Sequence, residues 1–165
     1  MLSSTISLSN LTDPGPNRLD PFGRSRAAVI RAGQLYASFF QRGRLYRFIQ
    51  TLRRKAWELE CLNMQRILRG RYLGVRTVAL SEVIGSESRG LDFDRGFHPV
   101  GEHTRERWKN IAITQILCQC LPPVELIQVG NRFFIRDGHH RVSVARALGQ
   151  KAIEAVVTCI ESCED

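Results

Sequence analysis

The residues best equipped for chemistry lie together at Asp137-Gly138-His139-His140-Arg141. An apolar run, Phe133-Phe134-Ile135, leads into them, and a helical run from Val142 to Leu148 leads away to Gly149. A helix N-terminus presents unpaired backbone N–H groups and a partial positive charge. Gly138 permits the tight turn that bares them, and the histidines and Arg141 add donors at the same spot. The pattern predicts a cradle for a phosphate or another oxyanion. Arg141 offers a planar fork suited to phosphate, or forms a surface salt bridge with Asp137 one turn earlier. His139 and His140 can donate to phosphate or act as general acid–base groups near neutral pH. Adjacent helical positions diverge by about 100°, so the two rings share a ligand only in part. Asp137 can give a carboxylate oxygen to Mg²⁺, or simply form the turn and cap the helix. Arg146, further along the helix, is expected in solvent or paired with Glu125 or Glu154.

Several elements must position this turn. Val124–Val129 alternates as a strand, Gly130-Asn131 supplies a hairpin turn, and 132–136 returns beside it. A helix over 139–148 ends at Gly149, and 152–160 forms a last strand with Ile153, Ala155, Val157 and Cys159 on one face. Upstream, 76–80 reads as a short strand and 84–102 as irregular. Thr104 is placed to cap a helix running to about Cys120, with Trp108, Ala112, Ile113, Ile116 and Leu117 inward, until Pro122 and Pro123 stop it. Earlier still, Gly43 is expected to divide two helices, 25–41 and 44–68. The second is read from Leu45, Phe48, Ile49, Leu52, Ala56 and Leu59 recurring at helical steps. Tyr36, Phe39, Phe40, Tyr46 and Phe48 are read as a packed face, and Gly70 and Gly74 as the end of the helical section. The resulting division is a flexible tail over 1–23, a basic helix pair over 24–74, and an α+β domain with a small mixed sheet over 75–165.

Charge follows the same division. The net charge is +8 over 165 residues, but the segment from Arg24 to Arg76 holds 13 basic residues against Glu58 and Glu60. Such a segment suits DNA, an acidic partner or an anionic surface, or serves as a solvated helix face. Hydrophobic residues make up 43%, enough for a folded core. The five cysteines (61, 118, 120, 159 and 163) fit neither a disulfide scaffold nor a zinc-ligand spacing. Neither a secretory signal pattern nor an apolar run long enough to span a bilayer is visible, which points to a reducing cytoplasm.

The order strand, loop, helix, hairpin, helix, strand over about 75–160 resembles the N-terminal domain shared by ParB chromosome-partitioning proteins and sulfiredoxins. The ParB signature after the hairpin is G-E-R-R-x-R-A, and Gly138-His139-His140-Arg141-Val142-Ser143-Val144 stands in its place, with Gly138 and Arg141 matching. Sulfiredoxin carries G-G-C-H-R at this turn, where His140 and Arg141 match but His139 replaces the nucleophilic cysteine. Sulfinic acid reduction is therefore not expected. The resemblance implies that Gly138, His139, His140 and Arg141 hold nucleotide phosphates (ATP, ADP or CTP, with Mg²⁺), aided by Arg89 from the loop. Similarity to free-serine kinases of the same superfamily implies Glu82 as a catalytic base beside Asp137 and His140, with Asp137 on the metal. Asp92 and Asp94 are read as a solvated acidic loop that could assist a metal. A helix-turn-helix reader of the ParB kind is not expected.

Two functions follow. One is a ParB-like protein that binds a nucleotide or nucleic-acid phosphate at 137–141, with the basic helices serving DNA or an acidic partner. The other is a nucleotide-dependent phosphotransferase or a nuclease. Self-association through the helix pair is a third, non-catalytic role.

Overall fold

The structure, a computed structural model, describes residues 25–62, 70–88 and 91–160. Its helices are α1 (Arg26–Leu52), α2 (Arg105–Ile116) and α3 (His139–Ala147). Its strands are β1 (Glu60–Cys61), β2 (Gly70–Ala79), β3 (Val83–Ser86), β4 (Val124–Val129), β5 (Arg132–Asp137) and β6 (Ala152–Ile160). All six strands join one mixed sheet in the order β1-β3-β5-β4-β6-β2. The fold is α+β, as the sequence pattern indicates.

The hairpin forms where Gly130 takes a positive φ of 58°, pairing β4 with β5 antiparallel. β3 lies parallel to β5 on its other side, with Ser86 opposite Ile135. β6 runs parallel to β4 and antiparallel to β2. Leu126 and Ile135 face one apolar cluster, and Ile127 and Phe134 a smaller one on the other side. This is the period-2 alternation of strands buried on both faces. α3 is covered on both sides. Val142 and Ala145 pack on the sheet, while Val144 joins Ala32, Tyr36, Phe39 and Trp108 from α1 and α2.

Polar contacts within this core hold the 91–104 loop. The Trp108 indole N–H donates to Ser143 Oγ at 2.8 Å, and Ser143 donates to the Phe97 carbonyl at 2.7 Å. Asp94 is fully buried. It takes Arg47 at 3.1 Å, the His98 ring at 2.9 Å, and the Gly96 and His98 amides. The acidic loop expected in solvent is thus, at Asp94, a buried ion pair.

Several expectations are corrected. α1 runs unbroken through Gly43, so the described part of 24–74 holds one helix where two are expected. Gly43 serves a close approach, since a Cβ there would lie 2.5 Å from the His98 Cβ. The helix stops at Leu52, Arg54 adopts φ 53°, and the chain extends into β1. Gly70 and Gly74 lie within β2, with Gly74 (φ 82°) at a bulge. β3 occupies part of the stretch read as irregular, and α2 ends four residues before Cys120. Tyr36 and Phe39 are buried as read, but Leu45, Phe48 and Leu52 face outward. Among the described residues Arg146 forms no salt bridge with an acid; it donates to the Leu80 and Val83 carbonyls at 2.7 Å each, over the Phe97 ring. The 1–23 tail, the 63–68 portion of the second helix, and Cys163 lie outside the described residues.

Candidate functional site

β3 and β5 run parallel and end on the same side of the sheet. Gly138, at φ 103°, turns the chain from β5 into α3. A Cβ at this position would lie 2.6 Å from the Val124 Cγ1, so both the dihedral and the space require glycine. No side chain caps α3, and its first turn opens into a cleft of about 230 Å³. Around it stand Ser88, Asp92, Phe93, Arg107 and Ile111, together with residues 137–141. The sequence-read turn therefore does line a cleft.

Each histidine is held differently. His139 Nε2 lies 2.7 Å from Ser86 Oγ, which also takes the Ser88 amide at 3.2 Å. Burial lowers the His139 pKa, with Asp137 and Asp92 opposing in part. His140 Nδ1 is buried without a hydrogen-bond partner among the described residues. Burial first, and the Arg107 charge second, push the His140 imidazole down to about 4. Both shifts favour the neutral form of the ring. Phe93 neighbours both, near-parallel to His139 at 6.3 Å and edge-on to His140 at 5.1 Å.

The arginine the sequence points to is not the one left open at the cleft. Arg141 lines the cleft, but its guanidinium donates to the Pro122 carbonyl, the Pro123 carbonyl at 2.8 Å, and the Asp137 carboxylate. Its fork braces the entry to β4 against α3. Arg107 on α2 is exposed at the cleft and has no hydrogen bond or ion pair among the described residues. Nothing in its sequence context distinguishes it from other helix-surface arginines. Ser86 and Ser88 escape sequence reading because β3 is too short for its period to register.

Of the remaining candidates, Asp137 is largely exposed and paired with Arg141. Asp92 also lines the cleft and bonds His103 Nε2 at 2.8 Å. Glu82 sits on the 3-10 turn before β3, at the opposite end of that strand from Ser86, and does not line the cleft. Arg89 lies outside the described residues. Among the described residues no group of three His, Cys, Asp or Glu side chains is arranged to hold a metal ion. Cys61, Cys118, Cys120 and Cys159 are free thiols. No described helix is long and apolar enough to cross a bilayer.

The arrangement defines an α+β protein with an uncapped helix N-terminus opening into a polar cleft. No family model matches the chain, and no curated protein does. Among solved structures it is similar to sulfiredoxin from Arabidopsis thaliana, over 53% of this chain and 86% of that one. The identity is 14% and the TM-score 0.41.

Proposed function

We propose that this protein binds the terminal phosphates of a nucleotide in the cleft at the start of α3. The observation that carries the reading is the meeting of the uncapped first turn of α3 with the unpaired Arg107 guanidinium. Backbone N–H groups and the helix dipole favour negative oxygens, and an unpaired arginine adds a charged donor. The neutral rings of His139 and His140 donate or accept without adding charge. The cleft is smaller than the roughly 300–1,000 Å³ of sites that enclose drug-sized ligands, so it suits the phosphate end while base and sugar lie outside. The resemblance of Asp137-Gly138-His139-His140-Arg141 to phosphate-holding turns agrees with this reading.

The test is thermal unfolding with ATP, ADP, CTP and inorganic phosphate, each with and without Mg²⁺. A nucleotide at a hundredfold excess over its Kd should stabilise the protein by about 2.7 kcal/mol. Arg107→Ala should remove most of that gain without lowering the stability of the free protein. No shift with any of these ligands would overturn the reading. Displacement of the nucleotide by a short oligonucleotide would transfer the site to nucleic-acid phosphates.

A phosphotransferase reading is favoured by one further observation. The carboxylates of Asp92 and Asp137 line the same cleft as the His140 ring. Mg²⁺ is commonly held by one or two carboxylates plus substrate phosphates, so this pair fits a Mg–nucleotide complex, in which the metal would offset phosphate charge. Asp137→Asn should abolish Mg²⁺-dependent turnover while nucleotide binding persists. Turnover that survives this change would remove Asp137 from the metal.

A further inference from the structure

α1 carries two apolar faces, and only one is covered. Ala28, Ala32, Tyr36 and Phe39 pack into the core. At about 100° per residue, Leu45, Phe48 and Leu52 fall on the opposite side of the helix, with Ile30 in line about four turns earlier and the exposed Gln34 and Gln41 on the same line between them. The four apolar residues are 61%, 66%, 76% and 53% exposed, in that order. Arg26 and Arg44 flank this stripe on one edge, and Arg31 and Arg42 on the other. All four are exposed, and none has an acidic partner among the described residues. The helix contains no acidic residue, and Arg53, Arg54 and Lys55 follow it directly.

We infer that the outer face of α1 docks on an anionic lipid surface. Apolar side chains clustered at the C-terminal end of α1, with cations on both margins, match the two layers of a bilayer interface. Leucine and phenylalanine enter the acyl boundary, while arginines meet the negative headgroups. Duplex DNA would neutralise the arginines but leave Leu45, Phe48 and Leu52 in water. A second copy of this face would bring like charges together. A partner that wraps the helix is excluded because the other side is already in the core. A flat, negatively charged, partly apolar surface meets every constraint.

The test is co-sedimentation of the full chain with vesicles of phosphatidylcholine alone and of phosphatidylcholine mixed with phosphatidylserine. Binding is expected only to the mixed vesicles, weakening as salt is raised. Phe48→Glu should lower it about tenfold or more, from the loss of one buried aromatic. Arg42→Ala and Arg44→Ala should each lower it about fivefold. Circular dichroism should be unchanged, because all three positions are exposed, and Leu52→Glu should repeat the Phe48 result. Three outcomes would overturn the inference: absence of vesicle binding, duplex DNA binding that is indifferent to Phe48→Glu with no vesicle binding, or a dimer that Phe48→Glu disperses.

Discussion

Ser86 at the end of β3 and His139 at the start of α3 meet at 2.7 Å, Oγ to Nε2, although 53 positions separate them. The contact fixes the ring of His139, and the same hydroxyl takes the Ser88 amide where the chain turns toward the cleft. Ser86→Ala would leave a mostly buried ring nitrogen and that amide without partners. A loss of about 1–3 kcal/mol is expected, measured by urea unfolding, with weaker nucleotide binding. Unchanged stability would mean that the serine does not hold the ring.

The two histidines set an acid sensitivity. Both have folded-state pKa values below the ordinary 6.5, His140 at about 4, chiefly through burial. Protonation therefore favours the unfolded chain. Their contribution is complete above about pH 6.5 and is lost as pH falls toward 4. His140→Gln should flatten the stability profile across that window. Arg107→Gln should raise the His140 pKa, because the Arg107 charge is the second cause of its depression. An imidazole titration by NMR reads this directly, and a wild-type His140 titrating near 6.5 would contradict the burial seen in the structure.

Gly138→Ala should damage the fold and the cleft together. The substitution places a side chain at φ 103° and only 2.6 Å from Val124. Strain and overpacking of this kind cost about 2–4 kcal/mol combined. Unfolding curves should show that loss, and any protein that remains folded should bind phosphate poorly because the first turn of α3 is re-aimed. Wild-type stability in this variant would show that the turn tolerates a Cβ.

Asp94 offers a test remote from the cleft. It is fully buried and joins Arg47 on α1 to His98 and two loop amides. Removing one partner of a buried pair leaves an uncompensated charge, so Asp94→Ala should cost about 3–5 kcal/mol. The double variant Asp94→Ala with Arg47→Met should recover part of that loss, since the stranded cation is then gone. If the two changes prove additive, the coupling between α1 and the loop is absent.

The sequence by itself determined the run of elements from Val124 to Ile160. Alternation over 124–129, the Gly130-Asn131 turn, the Gly138 kink and the helix closed by Gly149 depend on neighbouring residues, and local backbone preference decides them. It also brought Asp137, Gly138, His139 and His140 to one place, because they are consecutive. Only tertiary structure decided which arginine is free. Arg141 is taken by carbonyls from Pro122 and Pro123, whereas Arg107 arrives from another helix. Helical periodicity marked Phe48 with Tyr36 and Phe39 as one packed face, without distinguishing the core side of α1 from the outer one. That choice rests on whether Trp108 and Val144 lie opposite, which is a matter of long-range packing. Ser86 belongs to the same class, since a four-residue strand acquires its meaning only from the strand beside it.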